Sequence, residues 1–258
     1  MFKDQRLLVA NRGEIAVRII QSAKQLGITT LAIYTPSDSL SPHVLQADVA
    51  IPLPPEPSQS ESTAYISIST ILCICREHDV TMVHPGYGFL SESPDFAMSV
   101  ADAGITWLGP KPDIIRLMGL KHEARAAAIA AGIPVVPGSD GLVTKEDAID
   151  VASRVGFPLM LKATAGGGGL GMVVCADQKE LEEKLPGTIQ RAQTLFHNNG
   201  VFLERYISAA RHIEVQVLFI DFETFLGLTP VNRYSETVKV MLFTWGKENV
   251  ACNVATRR

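Results

Sequence analysis

The segment Lys162–Met172, which reads Lys-Ala-Thr-Ala-Gly-Gly-Gly-Gly-Leu-Gly-Met, constrains the fold more than any other part of the chain. It lies between two short apolar runs, Phe157–Leu161 and Met172–Cys175. Apolar runs on either side of a glycine cluster predict a strand, a tight turn and a second strand. Because ordering glycine costs backbone entropy, such a cluster indicates a backbone that bends freely or approaches a ligand closely.

This segment, the glycine-rich lid, has the features of a cover for a polyphosphate. Its backbone N–H groups can point at phosphate oxygens, and Lys162 supplies a compact positive charge at the end of the first strand. It is not a Walker A motif, because no Gly-Lys-Ser/Thr follows the glycines, and it opens no helix as a dinucleotide-binding fingerprint does. A flexible hairpin without a ligand is the alternative.

Composition excludes several classes of protein. With 258 residues, 47% hydrophobic and 19% charged, the chain can bury an ordinary core of one or two domains, and its net charge of −4 argues against nonspecific binding to nucleic acid. No apolar run is long enough to span a membrane and no leader precedes the first strand, so we expect a cytoplasmic protein. The four cysteines are too scattered for a disulfide framework or a zinc site, and we predict that they lie in the core: Cys73, Cys75, Cys175 and Cys252.

The first hundred or so residues have the pattern of an α/β domain. Arg6–Ala10 is predicted as a strand, the chain from Asn11 to Leu26 as a helix, and Thr29–Tyr34 as a second strand, which makes a βαβ unit and therefore a parallel sheet. Further predicted elements are the helices Thr63–His78 and Pro94–Ala103 and the strands Thr81–His84 and Thr106–Leu108. We predict an open, doubly wound sheet.

Two loops follow strands of this sheet, at the edge where such sheets bind ligands. They are Asn11–Glu14 and His84–Glu92. A single glycine in the first loop is too few for a dinucleotide fingerprint, whereas two glycines, a proline and a tyrosine shape the second. Taken alone, each loop is more typical of a structural role than of a catalytic one.

The second half of the chain places the lid between further helices and strands. A helix is predicted over Pro112–Ala131, with Lys121 and His122 on it, and the glycine and proline residues of Gly132–Gly138 end it. The other predicted elements are the helices Lys145–Arg154 and Gln178–Phe196 and the strand Val201–Tyr206. The turn Glu204–Ile207 would suit adenine, whose edge can pair with backbone groups.

Five segments in this order resemble the biotin carboxylase family of ATP-grasp enzymes: Ala10–Ala16, His84–Glu92, Gly109-Pro110, the glycine-rich lid and Glu204–Gln216. The resemblance covers about Arg6 to Gln216, and no single motif carries it. Most biotin carboxylases have Asp before the lysine that corresponds to Lys121 and a basic residue where Leu170 stands. The sequence Gly119–Arg125 and the aliphatic Leu170 look instead like the urea carboxylase (urea amidolyase) branch.

The resemblance implies two domains and a two-step ligation. Residues 1–116 would form a Rossmann-like pre-ATP-grasp domain, and residues 117–216 part of an ATP-grasp domain with a lid subdomain at about 134–206. In that family ATP phosphorylates bicarbonate and N1 of biotin is carboxylated; in urea carboxylases the carboxyl group then passes to urea. The implied cofactors are ATP, Mg²⁺ and biotin. The implied partners are bicarbonate and a biotinyl carrier domain, and family members are often homo-oligomers.

The resemblance also implies site residues. Lys121 and Lys162 would hold the ATP phosphates, and Gly168 and Gly169 would close over them. Glu204 would accept from the adenine amino group, Arg205 and Ile207 would pair with adenine through the backbone beside Tyr206, and His212 would approach the ribose. Such residues act by positioning and by neutralising phosphate charge. No catalytic residue and no metal ligand is assigned.

The segment Val217–Arg258 departs from the family. The family continues with Gly-Glu-Arg-Asp/Glu-Cys-Ser and Gln-Arg-Arg, and later with the Mg²⁺-binding glutamates and a bicarbonate-binding arginine, whereas this segment has no clear helix or strand pattern. Reading the codons of Thr244–Arg258 two bases later permits Gly-Glu-Arg-Glu-Cys-Ser-Leu-Gln-Arg-Arg-Asn-Gln-Lys. We therefore interpret 217–258 as an aberrant tail of frameshift or intron origin on a truncated domain. A transcript open and unspliced through Arg258, with no family motif in the shifted frame, would contradict this interpretation.

We predict that this polypeptide shows no bicarbonate-dependent, biotin-stimulated ATP hydrolysis. Without the family's metal carboxylates, no Mg²⁺ is held to neutralise the transferring phosphoryl group. Phosphate release by the pure protein, measured with and without bicarbonate beside an intact biotin carboxylase, is the test. Release that depends on bicarbonate would contradict the prediction.

Two other functions fit parts of the sequence. One is a noncatalytic nucleotide-binding or interaction module that keeps the first part of the fold, and the other is a carbamoyl-phosphate synthetase-like ligase. The order of the motifs argues against the ligase. A longer reading frame would distinguish the carboxylase from the module.

Overall fold

The computed structural model describes residues 4–54, 60–165, 171–209, 214–219, 225–231, 243–245 and 250–252. It divides into two compact units, Met1–Leu117 and Met118–Arg258.

The first unit is built on a five-stranded parallel sheet. Its strands are β1 (Arg6–Val9), β2 (Thr29–Tyr34), β3 (Val49–Pro52), β4 (Met82–His84) and β5 (Thr106–Trp107). They pair in the order β3-β2-β1-β4-β5, with Leu8 of β1 opposite Leu31 of β2 and Val83 of β4. The chain order reverses between β1 and β4, so the predicted open, doubly wound sheet is confirmed.

Helices cover both faces of this sheet because β1 alternates its apolar side chains between them. Leu7 and Val9 pack on one face with Ile20 of the first helix, whereas Leu8 packs on the other with Ile71 and Phe96. The helices of this unit are α1 (Gly13–Gln25), α2 (Pro42–Gln46), α3 (Glu61–Ala64), α4 (Ile68–Glu77), α5 (Pro94–Asp102) and α6 (Pro112–Gly119), the last of which contains the division between the units. Short 3₁₀ turns occupy Pro36–Asp38 and Phe89–Glu92.

The single helix predicted over Thr63–His78 is wrong. The structure has two helices there, α3 and α4, because Ser67, at the N-cap position of the second helix, has an extended backbone (φ −79°, ψ 97°) that cannot continue a helix. The break leaves Tyr65 buried, and its hydroxyl donates to Asp38 Oδ2 at 2.7 Å. The structure also adds β3 and α2, which the sequence pattern did not reveal.

The second unit contains a three-stranded antiparallel sheet with helices on one face. The strands β6 (Leu159–Ala163), β7 (Met172–Cys175) and β8 (Val201–Arg205) pair in the order β7-β6-β8. The helices are α7 (Lys121–Ala130), α8 (Ala148–Val155) and α9 (Gln178–Phe196). Leu159 and Leu161 of β6 pack against Val151 of α8 and Leu181 of α9. The strand–turn–strand predicted around the glycine-rich lid is confirmed by the pairing of β6 with β7.

The segment beyond Gln216 contains strands although its sequence has no clear helix or strand pattern. After β9 (Glu214–Phe219), the structure has β10 (Phe225–Val231), β11 (Phe243–Trp245) and β12 (Val250–Cys252). The strands pair as two antiparallel couples, β9 with β10 and β11 with β12. Pairing with a neighbouring strand satisfies the backbone hydrogen bonds even where side chains do not alternate regularly.

The core position predicted for the cysteines is confirmed for Cys75 and Cys175 and wrong for Cys73, which is exposed. On α4 the buried residues Ile71, Ile74 and Cys75 share one face, and Cys73 lies on another. Burial raises the pKa of the Cys75 thiol to about 12 and also raises that of Cys175, so neither is a nucleophile at neutral pH. Cys252 lies in β12, and the structure does not describe the side chains of that strand.

None of the helices in the described ranges is long and apolar enough to cross a membrane.

Candidate functional site

The register of β6 against β8 brings two predicted site residues onto one face of the second sheet. Met160 pairs with Glu204, and Lys162 pairs with Phe202. Because side chains alternate along a strand, these four side chains lie on the face opposite Leu159, Leu161 and Leu203, which pack against the helices. Lys162 and Glu204 are therefore diagonal neighbours, close enough for long side chains to meet.

Glu204 is a largely buried carboxylate that meets two cations. The Lys162 ammonium donates to its Oε2, and the Arg125 guanidinium lies 3.4 Å from its Oε1. The exposed fractions of the side chains are 15% for Lys162, 17% for Glu204 and 9% for Arg125. At this burial the three charges interact more strongly than they would in water.

The chain from Pro137 to Val143 covers the outer edge of β8 beside this carboxylate. Ser139 N–H donates to Leu203 O at 2.8 Å, and Arg205 N–H donates to Pro137 O at the same distance. Gly138 forms an isolated antiparallel β-bridge with Glu204. A Cβ added to Gly138 would lie 2.4 Å from Leu203 O. Only a glycine allows the backbone to pass this close to β8.

Lys121 lies at the root of the glycine-rich lid. The helix predicted over Pro112–Ala131 is broken at Leu120, whose backbone is extended (φ −105°, ψ 114°), and α7 begins at Lys121. Gly119 favours such a break, because glycine is a poor helix former. Lys121 N–H donates to Thr164 O at 3.2 Å, and its Nζ donates to Ala163 O at 3.4 Å. The ammonium thus lies at the end of β6, next to the strand position of Lys162.

His122 fixes the same helix start to the lid. Its Nδ1 makes a hydrogen bond of 2.5 Å with the hydroxyl of Thr164, which is fully buried. Gly171, at the other end of the lid, has φ +77°, and a Cβ there would lie 2.9 Å from Ala163 Cβ. Both ends of the lid are therefore closely packed, and the second requires glycine.

The adenine segment predicted at Glu204–Ile207 follows the end of β8. The side chain of Arg205 turns to the helical side of the sheet, where its guanidinium donates to Val155 O. Its N–H is already used by Pro137, so that group is not available to adenine. Tyr206 N–H donates to Pro158 O at 2.9 Å, and Ile207 is 51% exposed, with no backbone hydrogen bond from its N–H to a described residue. Ile207 is thus the residue of this turn whose N–H can pair with a base edge.

Three predicted site residues, Gly168, Gly169 and His212, lie outside the described residues, as does Leu170.

The described part of the site fits a polyphosphate. Within the described residues, Lys162 and Arg125 bring two positive charges to the one carboxylate of Glu204, so this cluster has a positive excess where β6 enters the lid, and the Lys121 ammonium lies at the end of the same strand. The same residues do not fit Mg²⁺, because its oxygen ligands would have to include a carboxylate that two cations already engage. Within the described ranges, no three His, Cys, Asp or Glu side chains come together as a metal site.

Sequence reasoning missed Arg125 as a site residue. It lies four residues after Lys121 on α7, and residues four apart share a helix face. The four-residue spacing from Lys121 could therefore have indicated that Arg125 lies near the site. The spacing could not indicate the contact of Arg125 with Glu204, which is 79 residues further along the chain.

In the first unit, the two predicted loops meet at the carboxyl ends of β1 and β4. Asn11 is buried, and its side-chain amide donates to Pro85 O at 2.7 Å and to Tyr87 O at 2.8 Å. Gly86 has φ +67°, and a Cβ there would lie 2.7 Å from Asn11 Nδ2. Gly86 N–H donates to His84 Nδ1 at 3.0 Å, and burial lowers the pKa of His84, so this ring stays a neutral acceptor. The two loops therefore form one hydrogen-bonded edge of the first sheet.

A buried aspartate orders the same edge of the first unit. Arg12 Nη2 donates to Asp38 Oδ1 at 2.6 Å, and the guanidinium lies 5.6 Å from the ring centroid of Tyr65. Burial raises the pKa of Asp38, but hydrogen bonds from Tyr65 and Arg12 and the Arg12 charge outweigh it, so the pKa lies below its ordinary value. Burial, and then the Asp38 hydrogen bond, raise the pKa of Tyr65 to about 12. Tyr65 therefore stays a proton donor throughout the physiological range.

Asp38→Asn should reduce stability in a pH-dependent manner. Because the native pKa of Asp38 is depressed, its carboxylate contributes stability above about pH 4, the unfolded pKa, and this contribution is lost as pH falls through the native pKa. We expect a loss of about 1 kcal/mol in the free energy of unfolding at neutral pH. The difference from the unsubstituted protein should shrink as the pH falls below about 4 and through the native pKa of Asp38. Urea unfolding at several pH values measures this, with Asp102→Asn as the exposed control. A difference that does not change with pH would contradict the assignment.

Two families match the chain. Residues 3–115 match the family described as biotin carboxylase, N-terminal domain, and residues 121–228 match the carbamoyl-phosphate synthase L chain, ATP binding domain. The second match extends beyond Gln216, where the resemblance seen in the sequence ends.

The chain is also similar to curated proteins. It is 51% identical over 212 residues to a putative urea carboxylase of Emericella nidulans. This alignment covers 82% of this chain and 17% of that protein. It is 43% identical over 215 residues to biotin carboxylase 1 of Bacillus subtilis, with 83% of this chain and 47% of that protein covered. The chain thus spans less than half the length of these relatives.

A solved structure has the same fold over most of the chain. The biotin carboxylase domain dimer of Hydrogenobacter thermophilus 2-oxoglutarate carboxylase, in complex with MgADP, ADP and bicarbonate, aligns with a TM-score of 0.82 at 39% identity. The alignment covers 89% of this chain and 50% of that one.

Proposed function

Because the chain belongs to the biotin carboxylase family, we propose that it is the nucleotide-binding part of an enzyme that carboxylates biotin with bicarbonate and ATP. The observation that carries this proposal is the cluster of Lys162, Glu204 and Arg125 beside the lid, with Lys121 at the lid root. A positive excess where a glycine turn begins favours a ligand with several negative charges. ATP is such a ligand.

Different residues of the site would bind the phosphates of ATP and its adenosine part. Lys162 and Lys121 would neutralise phosphate oxygens, and Gly168 and Gly169 would close over them. At the base, Glu204 and the N–H of Ile207 would pair with adenine beside Arg205 and Tyr206, and His212 would approach the ribose. These contacts orient the nucleotide and exclude water from its phosphates, so the gain comes from positioning.

Mg²⁺ would shield phosphate charge when bound with ATP. Because the described residues do not fit it, its ligands would be other residues of the enzyme.

The first-unit match supports biotin as the carboxyl acceptor. Residues 3–115 match the family described as biotin carboxylase, N-terminal domain, whereas the ATP-binding match carries the name of the carbamoyl-phosphate synthase L chain. This observation favours a biotin carboxylase over a carbamoyl-phosphate synthetase-like ligase. The relative from Emericella nidulans supports urea as the final acceptor.

We further propose the surroundings in which the chain acts. Its partners would be bicarbonate and a biotinyl carrier domain, it would work as part of a homo-oligomer, and its location would be cytoplasmic. We propose 1–116 as the N-terminal domain, 117–216 as part of the ATP-grasp domain with its lid at about 134–206, and 217–258 as the aberrant tail.

Calorimetric titration of ATP into the 258-residue chain tests nucleotide binding. We expect saturable binding of ATP, competition by ADP, and weaker binding of GTP, because guanine presents a different edge to the turn after β8. No binding of ATP, or equal binding of ATP and inorganic triphosphate, would overturn the assignment of this site to an adenine nucleotide.

A second measurement addresses the acceptor. In the enzyme that contains this chain, phosphate release from ATP should depend on bicarbonate and increase with free biotin. Urea should then accelerate turnover more than pyruvate does. Turnover that urea leaves unchanged would overturn urea as the acceptor, while leaving biotin carboxylation in place.

A further inference from the structure

Two cationic side chains contact the Glu204 carboxylate, whereas a simple ion pair has one. Lys162 donates to one carboxylate oxygen and Arg125 lies 3.4 Å from the other. The two cations come from different elements, since Lys162 is on β6 and Arg125 is on α7.

The two cations differ in how firmly the structure holds them. Arg125 is also anchored by its Nε, which donates to Ser139 O at 3.2 Å, and its side chain is only 9% exposed. The segment that contains Ser139 is itself hydrogen-bonded along β8. Lys162 carries its ammonium on a flexible stem with three rotatable donors. Arg125 thus has a second anchor besides Glu204, whereas Glu204 is the one side-chain hydrogen-bond partner of the Lys162 ammonium among the described residues.

The second cation affects nucleotide affinity if Lys162 exchanges its contact with Glu204 for one with a phosphate. A carboxylate that is buried and loses its only cation is strongly destabilised. If Glu204 depended on Lys162 alone, binding a nucleotide would incur that loss, and affinity would fall accordingly. A second cation that stays in place removes most of the penalty.

We propose that Arg125 is a positioning residue that keeps the Glu204 carboxylate paired, so that Lys162 can be released from Glu204 to the phosphates of a bound nucleotide. The proposal rests on the proposed function, because it takes an adenine nucleotide as the ligand. The competing explanation is that Arg125 only ties α7 to the segment around Ser139. The two explanations differ in whether the effect of Arg125 depends on the charge of Glu204.

Stability measurements test the pairing without any nucleotide. Thermal unfolding is compared for Arg125→Met, Lys162→Met and the double variant. We expect the double variant to lose more in Tm than the two single losses together, because only there is Glu204 buried without a cation. Additive losses would overturn the proposal, whatever the chain does with ATP. Arg154→Met, an exposed arginine on α8, is the matched control and should leave the Tm unchanged.

Calorimetry with ATP tests the release of Lys162. Arg125→Met should weaken ATP binding by about 10-fold, a modest share of the cost of leaving a buried charge unpaired, and Arg125→Lys should restore most of the affinity. In a Glu204→Gln background, Arg125→Met should change the affinity by less than about twofold, the usual error of additivity. An equal loss in both backgrounds would overturn the proposal and leave Arg125 a structural tie. Failure of the unsubstituted chain to bind ATP would overturn the proposed function and the release step, while the Tm coupling would still report the pairing.

Discussion

Lys162→Ala is expected to weaken ATP binding by about 10- to 100-fold, the range for losing a charged hydrogen bond of about 1.5–3 kcal/mol. The reason is the position of this lysine where β6 enters the glycine-rich lid, on the face it shares with Glu204. Without its ammonium, phosphate charge placed there would be buried with less compensation. Titration calorimetry of ATP with the unsubstituted and substituted chains gives the ratio of affinities.

Lys179→Ala is the matched control for this prediction. That lysine lies in the first turn of α9, its side chain is 84% exposed, and its Nζ lies 3.9 Å from Glu183 Oε1. An exposed pair of this kind contributes little to stability, so we expect ATP affinity and Tm to stay unchanged. Equal affinities for the unsubstituted chain and Lys162→Ala would remove Lys162 from the site.

Gly138→Ala is expected to lower the free energy of unfolding by about 1–3 kcal/mol, the usual cost of forcing extra atoms into a packed region. The added methyl group would lie 2.4 Å from Leu203 O and 3.1 Å from Glu204 Cγ. The first of these atoms belongs to the backbone of β8 and cannot rotate away as a side-chain atom could. Either β8 or the segment that covers it must shift, and Glu204 shifts with it, so ATP affinity should fall as well.

Gly141→Ala provides the control, because a Cβ at that glycine meets nothing within 4 Å and the residue lies in the same segment. We expect a change of less than about 0.5 kcal/mol, as for a surface substitution. Urea unfolding of both variants measures the difference. Equal stabilities would show that the segment around Gly138 yields easily and does not fix Glu204.

Of the predicted site residues that the structure describes, some lie together as expected, and at one an expected contact is not available. Lys162 and Glu204 meet directly, and Lys121 lies at the root of the lid. At Arg205 the structure removes one expected contact, because its N–H already donates to Pro137 O. The roles of these residues toward ATP stay predictions, and the variants above test them.

Two errors in the predicted elements are breaks inside a predicted helix. The helices expected over Thr63–His78 and Pro112–Ala131 are both interrupted, at Ser67 and at Leu120, although their residues favour helix on either side. The second break coincides with the hydrogen bond from Lys121 N–H to Thr164 O. A partner distant in sequence thus outweighs local preference, which is a weak determinant of helix ends.

The sequence by itself determined the elements whose signal is local. The glycine cluster between two apolar runs predicted the hairpin of β6 and β7, and the strand–helix–strand order from Arg6 to Tyr34 predicted a parallel, doubly wound sheet. These signals come from side-chain periodicity and glycine geometry, which depend on neighbours in the chain. The order of motifs likewise indicated the family.

Only the tertiary structure decided which charges share a site. Lys162 and Glu204 are 42 residues apart and meet because β6 pairs with β8 in one register; a shift by one residue would place them on opposite faces. Arg125 reaches the same carboxylate from a helix that starts at a break fixed by Thr164. Such pairings depend on register, helix position and burial together, because each brings side chains from distant parts of the chain within a few ångströms, and no local pattern encodes that distance.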